Sequence, residues 1–295
     1  MSLKKKLKQF LPEKYRKEPT IIPVVRMTGP IMVGSQMRPG LSMASVAGQL
    51  HKAFSIKDAP AVAIAINSPG GSPVQSRLIY ERIRQLAEEK DKKVITFCED
   101  AAASGGYMLA IAGDEIVADP SSIVGSIGVV SGGFGFVDAI EKLGVERRVY
   151  TAGTQKAMLD PFKPENPDHT KHLNALLEDL FETFKDLVRN RRGDKLTKEE
   201  DELFTGAFWT GKKGKEYGLV DELGDMSGYL KQKYGEDTKL KLIASGGGLF
   251  SRFRMPGMMM AAQGGDPIDR IAAGLSADSI LASLEERALW SRLGL

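Results

Sequence analysis

The sequence has one cysteine and three histidines in 295 residues, and its net charge is only +3. A single cysteine, Cys98, excludes an intramolecular disulfide framework and a multi-cysteine metal site. Because it lies in an apolar run, we expect a buried strand thiol. The small net charge gives no reason to expect nucleic-acid binding. No stretch approaches the roughly 20 apolar residues that a membrane-spanning helix needs.

The N-terminal segment, residues 1–19, is basic, but neither an apolar stretch nor a small-residue cleavage site follows it. It therefore does not read as a signal peptide, and we expect a cytoplasmic protein. Leu3, Leu7 and Phe10 lie at helical spacing beside lysines, which would suit peripheral contact with the inner face of the cytoplasmic membrane. The alternative is a solvated, frayed terminus.

Between residues 20 and 244, short apolar runs typical of strands alternate with segments whose apolar residues have helical spacing. This rhythm predicts an α/β fold with a parallel sheet and right-handed crossovers. A Gly/Met-rich linker over 245–266 and amphipathic helices over 267–295 follow as a tail that packs on its own core, on another subunit or on a membrane. The predicted strands are 20–27, 31–33, 61–66, 93–98, 115–118 and 147–150. The main predicted helices are 43–55, 105–112, 171–192, 211–217 and 226–234. A further helix is predicted after residue 73, with Leu78 facing the core.

Ser104 lies between three alanines and two glycines, at the junction of a loop with a buried helix. Backbone N–H groups at such a junction have no acceptor within the helix and can donate to a negatively charged group. The setting suits a nucleophile with room around its hydroxyl. The plainer interpretation is that Ser104 is only the N-cap of the helix.

Two glycine loops, Pro69-Gly70-Gly71 and Ser104-Gly105-Gly106, each follow a predicted buried strand. In an open parallel sheet the carboxyl ends of adjacent strands meet, and ligands bind there. One N–H of the Gly70-Gly71 turn and one of Gly105 would form an oxyanion hole, which needs two convergent donors. Two tight turns that bind nothing are the alternative.

A nucleophilic serine needs a base, and the histidines are poor candidates. His51 is expected on a solvent-facing helix, while His169 and His172 lie in a polar run typical of a solvated helix start. No metal motif is present, so no metal or other cofactor is predicted. The remaining option is a lysine whose pKa is lowered by burial. Lys156, in a loop flanked by apolar residues, is the candidate.

Three blocks carry a resemblance to a known family: Ile66-Asn67-Ser68-Pro69-Gly70-Gly71, Ala102 to Tyr107, and Gly125-Ser126-Ile127-Gly128-Val129. Together with a later segment from Gly211 to Gly224, they resemble the signal peptide peptidase family (protease IV, SppA/SohB-like). The resemblance covers roughly residues 20–235. It implies a peptidase domain over 20–244 with a Clp/crotonase-type fold of stacked βαβ units.

The resemblance also implies a Ser-Lys dyad. The nucleophile falls on Ser104, the general base on Lys156, and the hydroxyl that orients the lysine on Ser126. The implied substrates are unfolded apolar peptides such as signal peptide remnants, and the implied assembly is a homo-oligomer. With one copy of each catalytic residue, we expect that the dyad can form within one subunit.

Two other functions are compatible with parts of the pattern. A crotonase-like acyl-CoA enzyme shares the fold and the oxyanion hole but needs neither Ser104 nor Lys156. A membrane-associated scaffold with a vestigial dyad would assemble other factors. The presence of all three residues, Ser104, Lys156 and Ser126, favours the peptidase.

Overall fold

The computed structural model describes residues 19–34, 40–244 and 287–295. Its centre is three parallel strands: β1 (Ile21–Thr28), β2 (Ala61–Ser68) and β3 (Lys93–Ala103). Nearly every residue of β2 is buried. A strand with an apolar side chain at almost every position is stable only where both faces of the sheet are covered.

The helices and the other strands follow in chain order. The helices are α1 (Met43–Phe54), α2 (Pro73–Glu89), α3 (Gly105–Ala110), α4 (Val137–Lys142), α5 (Pro167–Arg192), α6 (Glu200–Leu203), α7 (Gly211–Glu216) and α8 (Met226–Tyr234). The strands are β4 (Glu115–Ala118), β5 (Ile123–Gly125), β6 (Phe208–Thr210), β7 (Glu222–Leu223) and β8 (Lys239–Leu242). A last helical turn begins the described part of the C-terminus at residue 287.

The sheet divides along β3, whose eleven residues pair with β2 on one edge and with two different strands on the other edge. Its first half pairs with β4 in parallel, and its last three residues pair with β5, also in parallel. The main order is β6-β5-β3-β2-β1-β8, with β4 and β7 off this path. Among the described strands, only β6 runs antiparallel to its neighbour. The carboxyl ends of β2, β3 and β5 therefore lie side by side.

One large apolar core lies between one face of the sheet and α1, α2, α3 and α5. A smaller core covers the opposite face under α8, through Leu230. The third apolar cluster is the smallest, and it contains Ala101, Ala103 and Leu293. It lies at the end of β3 that leads to Ser104.

The predicted α/β class with a mostly parallel sheet is confirmed, and most predicted elements lie within a few residues of their observed bounds. Three local predictions are wrong. Residues 147–150 form no strand, the segment 31–33 forms only an isolated bridge at Ile31, and Leu78 is 45% exposed instead of buried. The predicted linker at 245–266 and the start of the predicted C-terminal helices lie outside the described residues.

Candidate active site

Ser104 occupies a strained turn between β3 and α3. Its backbone has φ of 54° and ψ of −122°, in a region that non-glycine residues rarely enter. Its N–H donates to Gly125 O at 2.8 Å, and its carbonyl accepts from Met108 N at 3.0 Å. Ser104 stands at the N-cap position, yet its side chain makes no capping hydrogen bond. The Ser104 hydroxyl therefore does not cap α3, which was the purely structural role that the sequence left open for it.

The Gly70-Gly71 turn packs directly against Ser104, and only glycine fits there. Gly70 and Gly71 have φ of 100° and 140°. A Cβ on Gly70 would lie 2.8 Å from the Ser104 Cβ, and a Cβ on Gly71 would lie 2.2 Å from Ile31 O. Both distances are shorter than a side chain tolerates, so the absence of a Cβ lets the two loops meet.

The three predicted oxyanion donors are not equivalent. The Gly70 N–H already donates to the Ser68 Oγ at 3.2 Å. Within the described residues, the N–H groups of Gly71 and Gly105 have no acceptor. Gly71 and Gly105 also line the cavity beside Ser104, whereas Gly70 does not. The geometry therefore favours Gly71 and Gly105 as the two donors and gives Gly70 a supporting position.

A cavity of about 450 Å³ opens in front of Ser104, a size typical of ligand pockets. Its walls come from the two glycine loops, the segment after β5, helix α5 and the C-terminal residues. Its apolar lining includes Met108, Leu180 and Phe184. Sequence analysis identified none of these side chains as part of the site. The i, i+4 spacing of Leu180 and Phe184 on one helix face is a signal that could have pointed to them.

Ser126 follows β5 and lines the same cavity. It is 5% exposed, and its backbone has φ of 53°. Its N–H donates to Ala207 O at 2.7 Å, which fixes the turn without using the hydroxyl. The structure therefore brings Ser104, Ser126, Gly71 and Gly105 to one cavity, whereas Gly70 lies outside its lining.

Lys156 lies elsewhere: it is exposed and is not among the residues that line the cavity. It belongs to a largely exposed region, residues 129–165, which we call the lysine arm and of which only the first residues, Val129 and Val130, line the cavity. Its backbone N–H closes a turn on Gly153 O at 3.2 Å. Among the described residues, none makes a hydrogen bond or an ion pair with the Lys156 side chain. The structure of one chain thus does not unite the predicted dyad.

The lysine arm is internally organised. The rings of Phe136 and Phe162 lie 5.5 Å apart, and the Arg147 guanidinium lies 4.7 Å from the centre of the Phe162 ring. Arg147 also pairs with Asp160 at 3.1 Å. The arm nevertheless exposes large apolar side chains: Val130, Phe134, Phe136, Leu143, Val145, Val149, Tyr150 and Leu159. A concentration of this kind is typical of a surface that another molecule covers.

A buried polar network holds α3 and α5 behind the cavity. Arg192, 3% exposed, donates to Gly218 O and pairs with Asp221 at 2.8 Å. Burial alone would raise the pKa of Asp221, but hydrogen bonds from Arg192 and Lys195 outweigh it, and the pKa lies below its ordinary value. The Tyr107 hydroxyl donates to Leu219 O at 2.9 Å. The network ties the helix after Ser104 to the segment that follows α7.

The other titratable candidates stay outside the cavity. His51 is exposed on α1, and His169 and His172 lie in the first turns of α5. The described ranges contain no cluster of three His, Cys, Asp or Glu side chains that could hold a metal ion. Burial raises the pKa of the Cys98 thiol to about 12, so this group is not a nucleophile near neutral pH.

Comparison with known protein families identifies the region. The family model described as peptidase family S49 matches residues 87–240, which include Ser104, Ser126 and Lys156. The chain belongs to peptidase family S49. A second model, described as Clp protease, matches residues 16–123 and covers β1 to β4. The Clp-like fold and the resemblance to signal peptide peptidases are therefore confirmed, and the domain is of the serine-peptidase type.

Several curated relatives are longer than this chain. A protein of Brucella abortus (strain 2308) named Na(+)/H(+) antiporter NhaA is 56% identical over 98% of this chain, but the match covers only 39% of that protein. The chloroplastic serine protease SPPA of Arabidopsis thaliana is 33% identical over 70% of this chain and 31% of the relative. Protease 4 of Haemophilus influenzae is 31% identical over 71% of this chain and 34% of the relative.

The chain therefore spans between about a third and two fifths of these three relatives. The antiporter name belongs to the whole of a longer protein. Among solved structures, a membrane-bound stomatin-specific protease aligns with a TM-score of 0.45 at 15% identity, over 78% of this chain and 100% of that one. Separately, none of the described helices combines the length and apolarity needed to cross a membrane.

Proposed function

We propose that the chain is a serine endopeptidase that hydrolyses unfolded, apolar peptides with a Ser-Lys dyad. The observation that carries the proposal is the turn at Ser104. Its hydroxyl is free of the capping bond, and it lies in one cavity with the unpaired N–H groups of Gly71 and Gly105. A nucleophile beside two convergent donors is the arrangement that acyl transfer requires.

Lys156 is the proposed base, and a second copy of the chain is proposed to deliver it. Within one chain it is exposed, whereas a lysine that acts as a base must be neutral, and desolvation favours the neutral form. The lysine arm has its own internal contacts and projects apolar side chains such as Phe134 and Tyr150, which are 80% and 91% exposed. Packing of this arm on a neighbouring subunit would bury those side chains and bring an amine to Ser104.

The reaction then proceeds in two halves. Neutral Lys156 accepts the proton of the Ser104 hydroxyl while Oγ bonds to the peptide carbonyl carbon. Gly71 and Gly105 donate to the oxygen that becomes negative, and the protonated lysine returns the proton to the leaving amine. Water attacks the acyl-enzyme with the same base, and Ser104 is regenerated. Ser126, which lines the cavity, is proposed to hold the lysine amine in line.

Apolar peptides suit the cavity, because Met108, Leu180 and Phe184 offer a substrate side chain an apolar lining. Remnants of signal peptides are one source of such peptides. Peripheral membrane contact through residues 3–11 or 249–260 stays a prediction, because both segments lie outside the described residues. Flotation of the protein with anionic liposomes tests it, and absence of association would contradict it.

Intact-protein mass after treatment with a fluorophosphonate probe tests the proposed function. The wild type should gain one adduct, Ser104→Ala should gain none, and Lys156→Ala should react at least about a thousandfold more slowly. Lys163→Ala, which removes another exposed lysine from the same arm, is the matched control and should react like the wild type. A folded, assembled wild type without an adduct would instead support the scaffold, and labelling unchanged in Lys156→Ala would contradict the lysine base.

A further inference from the structure

We propose that the C-terminal segment, residues 287–295, is an autoinhibitory wall of the catalytic cavity. It has to leave before a polypeptide can reach Ser104. The proposal rests on the peptidase function proposed above and adds a control of access to it.

The position of the segment is the first observation. Leu289, Arg292 and Leu293 line the same cavity as Ser104 and the donors Gly71 and Gly105. The last residues of the chain are thus neighbours of residues that lie far away in sequence. Their side chains form part of the wall of the cavity that an extended substrate would have to occupy.

The docking site of the segment is built at the nucleophile itself. Leu293 is 8% exposed and packs with Ala101 and Ala103, the alternate residues of β3 just before Ser104. Trp290 and Ile123 pack against the same cluster. Since successive strand residues face opposite sides, Ala102 belongs to the main core while its two neighbours form a separate shallow site. Small alanine side chains leave room there for one leucine.

The C-terminal segment is held on the cavity wall by apolar contacts, and in the described part of the chain no hydrogen bond joins it to another element. Within the described residues, every hydrogen bond of the segment is internal, for example Arg292 N to Ala288 O at 3.2 Å and Leu295 N to Trp290 O at 3.3 Å. Helix α5, another wall of the cavity, is held by Arg191 and Arg192 through hydrogen bonds to the backbone of other elements. A wall that is fixed only by the burial of a few apolar side chains can be displaced by an apolar peptide.

The cavity that remains with the segment in place is about 450 Å³, which is enough for a small ligand. A small serine reagent should therefore reach Ser104 in the docked state. A polypeptide, which must extend across the site on both sides of the scissile bond, should not. Autoinhibition of this kind should lower the rate of polypeptide cleavage but not the rate of labelling by a small reagent, because only cleavage requires release of the C-terminal segment.

A pair of full-length variants tests the proposal. Leu293→Asp places a carboxylate in the alanine site and should release the segment, whereas Leu295→Asp makes the same change at a side chain that is 53% exposed. We expect cleavage of an unfolded, fluorescently labelled apolar polypeptide to rise roughly tenfold in Leu293→Asp, because burial of one leucine sets the scale of the docking equilibrium. Leu295→Asp should match the wild type, and fluorophosphonate labelling of Ser104 should be similar in all three proteins.

A synthetic peptide with the sequence of residues 287–295 should slow Leu293→Asp back toward the wild-type rate. Equal polypeptide cleavage in all three proteins, with normal labelling, would overturn the autoinhibition and leave the peptidase proposal intact. Loss of folding in Leu293→Asp and also in the milder Leu293→Ala would make the segment part of the core and would likewise overturn it. Absence of labelling in every protein would overturn the peptidase function and this inference with it.

Discussion

The turn at Ser104 and the lysine arm belong to one chain but differ in how they are built. Around Ser104, the ends of three parallel strands fix the backbone, and glycines without room for a Cβ hold the loops together. The arm that carries Lys156 is held by a few aromatic and ionic contacts of its own and exposes apolar side chains. The fold of one chain thus places Ser104 beside the N–H groups of Gly71 and Gly105, whereas Lys156, the base that we propose, lies away from them.

Among changes outside the proposed dyad, the largest effect is expected from damage to the rigid region around Ser104. In Gly71→Ala, a Cβ would meet Ile31 O at 2.2 Å and would displace an N–H that we assign to the oxyanion hole. Loss of one such donor lowers kcat by about a hundredfold to a thousandfold. Steady-state kinetics measure the loss, and thermal unfolding checks that the variant is folded.

Gly132→Ala is the matched control for this change. Gly132 lies on the lysine arm, has no positive φ, and has nothing within 4 Å of its added Cβ. Its kcat should stay close to that of the wild type. If Gly71→Ala were folded and equally active, the assignment of the oxyanion donors would be wrong.

A smaller effect is expected from a change on the surface of the arm. Phe134→Asp places a charge on a ring that is 80% exposed in one chain and that we assign to the contact with a neighbouring copy. Replacement of a central aromatic side chain in an interface by a smaller or charged one commonly weakens association by about tenfold or more. Sedimentation velocity should show smaller species, and the specific activity should fall with dissociation.

Val33→Asp is the control for that experiment, since Val33 is 72% exposed but lies outside the arm. It should leave both the assembly and the activity unchanged. A Phe134→Asp protein that sediments and cleaves like the wild type would remove the argument that the arm packs on a second subunit.

Substitutions in the Arg192–Asp221 pair, which lies behind the cavity, should affect catalysis least but should clearly lower the stability of the fold. Because the pKa of Asp221 is lowered in the folded state, its pairing with Arg192 stabilises the fold fully above the unfolded-state pKa of about 3.9, and this contribution is lost as the pH falls through the lower folded-state pKa. Asp221→Asn should therefore cost about 3 kcal/mol at pH 7 and less at pH 3. Urea unfolding at the two pH values measures the difference.

Asp138→Asn on the exposed arm provides the comparison, because Asp138 belongs to the short helix α4, which buries no residue. It should change the free energy of unfolding little at either pH. An Asp221→Asn protein whose destabilisation is the same at both pH values would contradict the role given to the ionised carboxylate.

Much of the rigid region was predictable from the sequence. The run Ala61–Ile66 is apolar throughout and leads into the Gly70-Gly71 turn, and a second, largely apolar run over residues 94–98 precedes Ser104 and its two glycines. Such strands pair in parallel, so their loops had to meet at one edge. Our proposal that Gly71 and Gly105, and not Gly70, are the oxyanion donors needed the structure, because the competing hydrogen bond from Gly70 N–H to Ser68 Oγ depends on the turn geometry.

The exposed regions were predicted less well, for a physical reason. The apolar residues Val149 and Tyr150 favoured a strand, but within the described ranges residues 147–150 pair with no other strand. We expected that the dyad can form within one subunit, and in the structure of one chain Lys156 is exposed and lies away from Ser104. Apolar residues around a lysine do not show whether its loop packs on the core, because loop packing depends on long-range contacts. The place of Leu293 beside Ala101 is a long-range contact that no local pattern encodes.

The most direct test of the account is complementation between two inactive variants. Ser104→Ala and Lys156→Ala are purified, dissociated together, and reassembled at equal concentrations. If a neighbouring copy supplies the lysine, random mixing should restore about a quarter of the wild-type rate, because one interface in four joins an intact serine to an intact lysine. Each variant reassembled alone should stay inactive. A mixture that also stays inactive, although mass measurements show mixed assemblies, would contradict the claim that the site is completed between subunits.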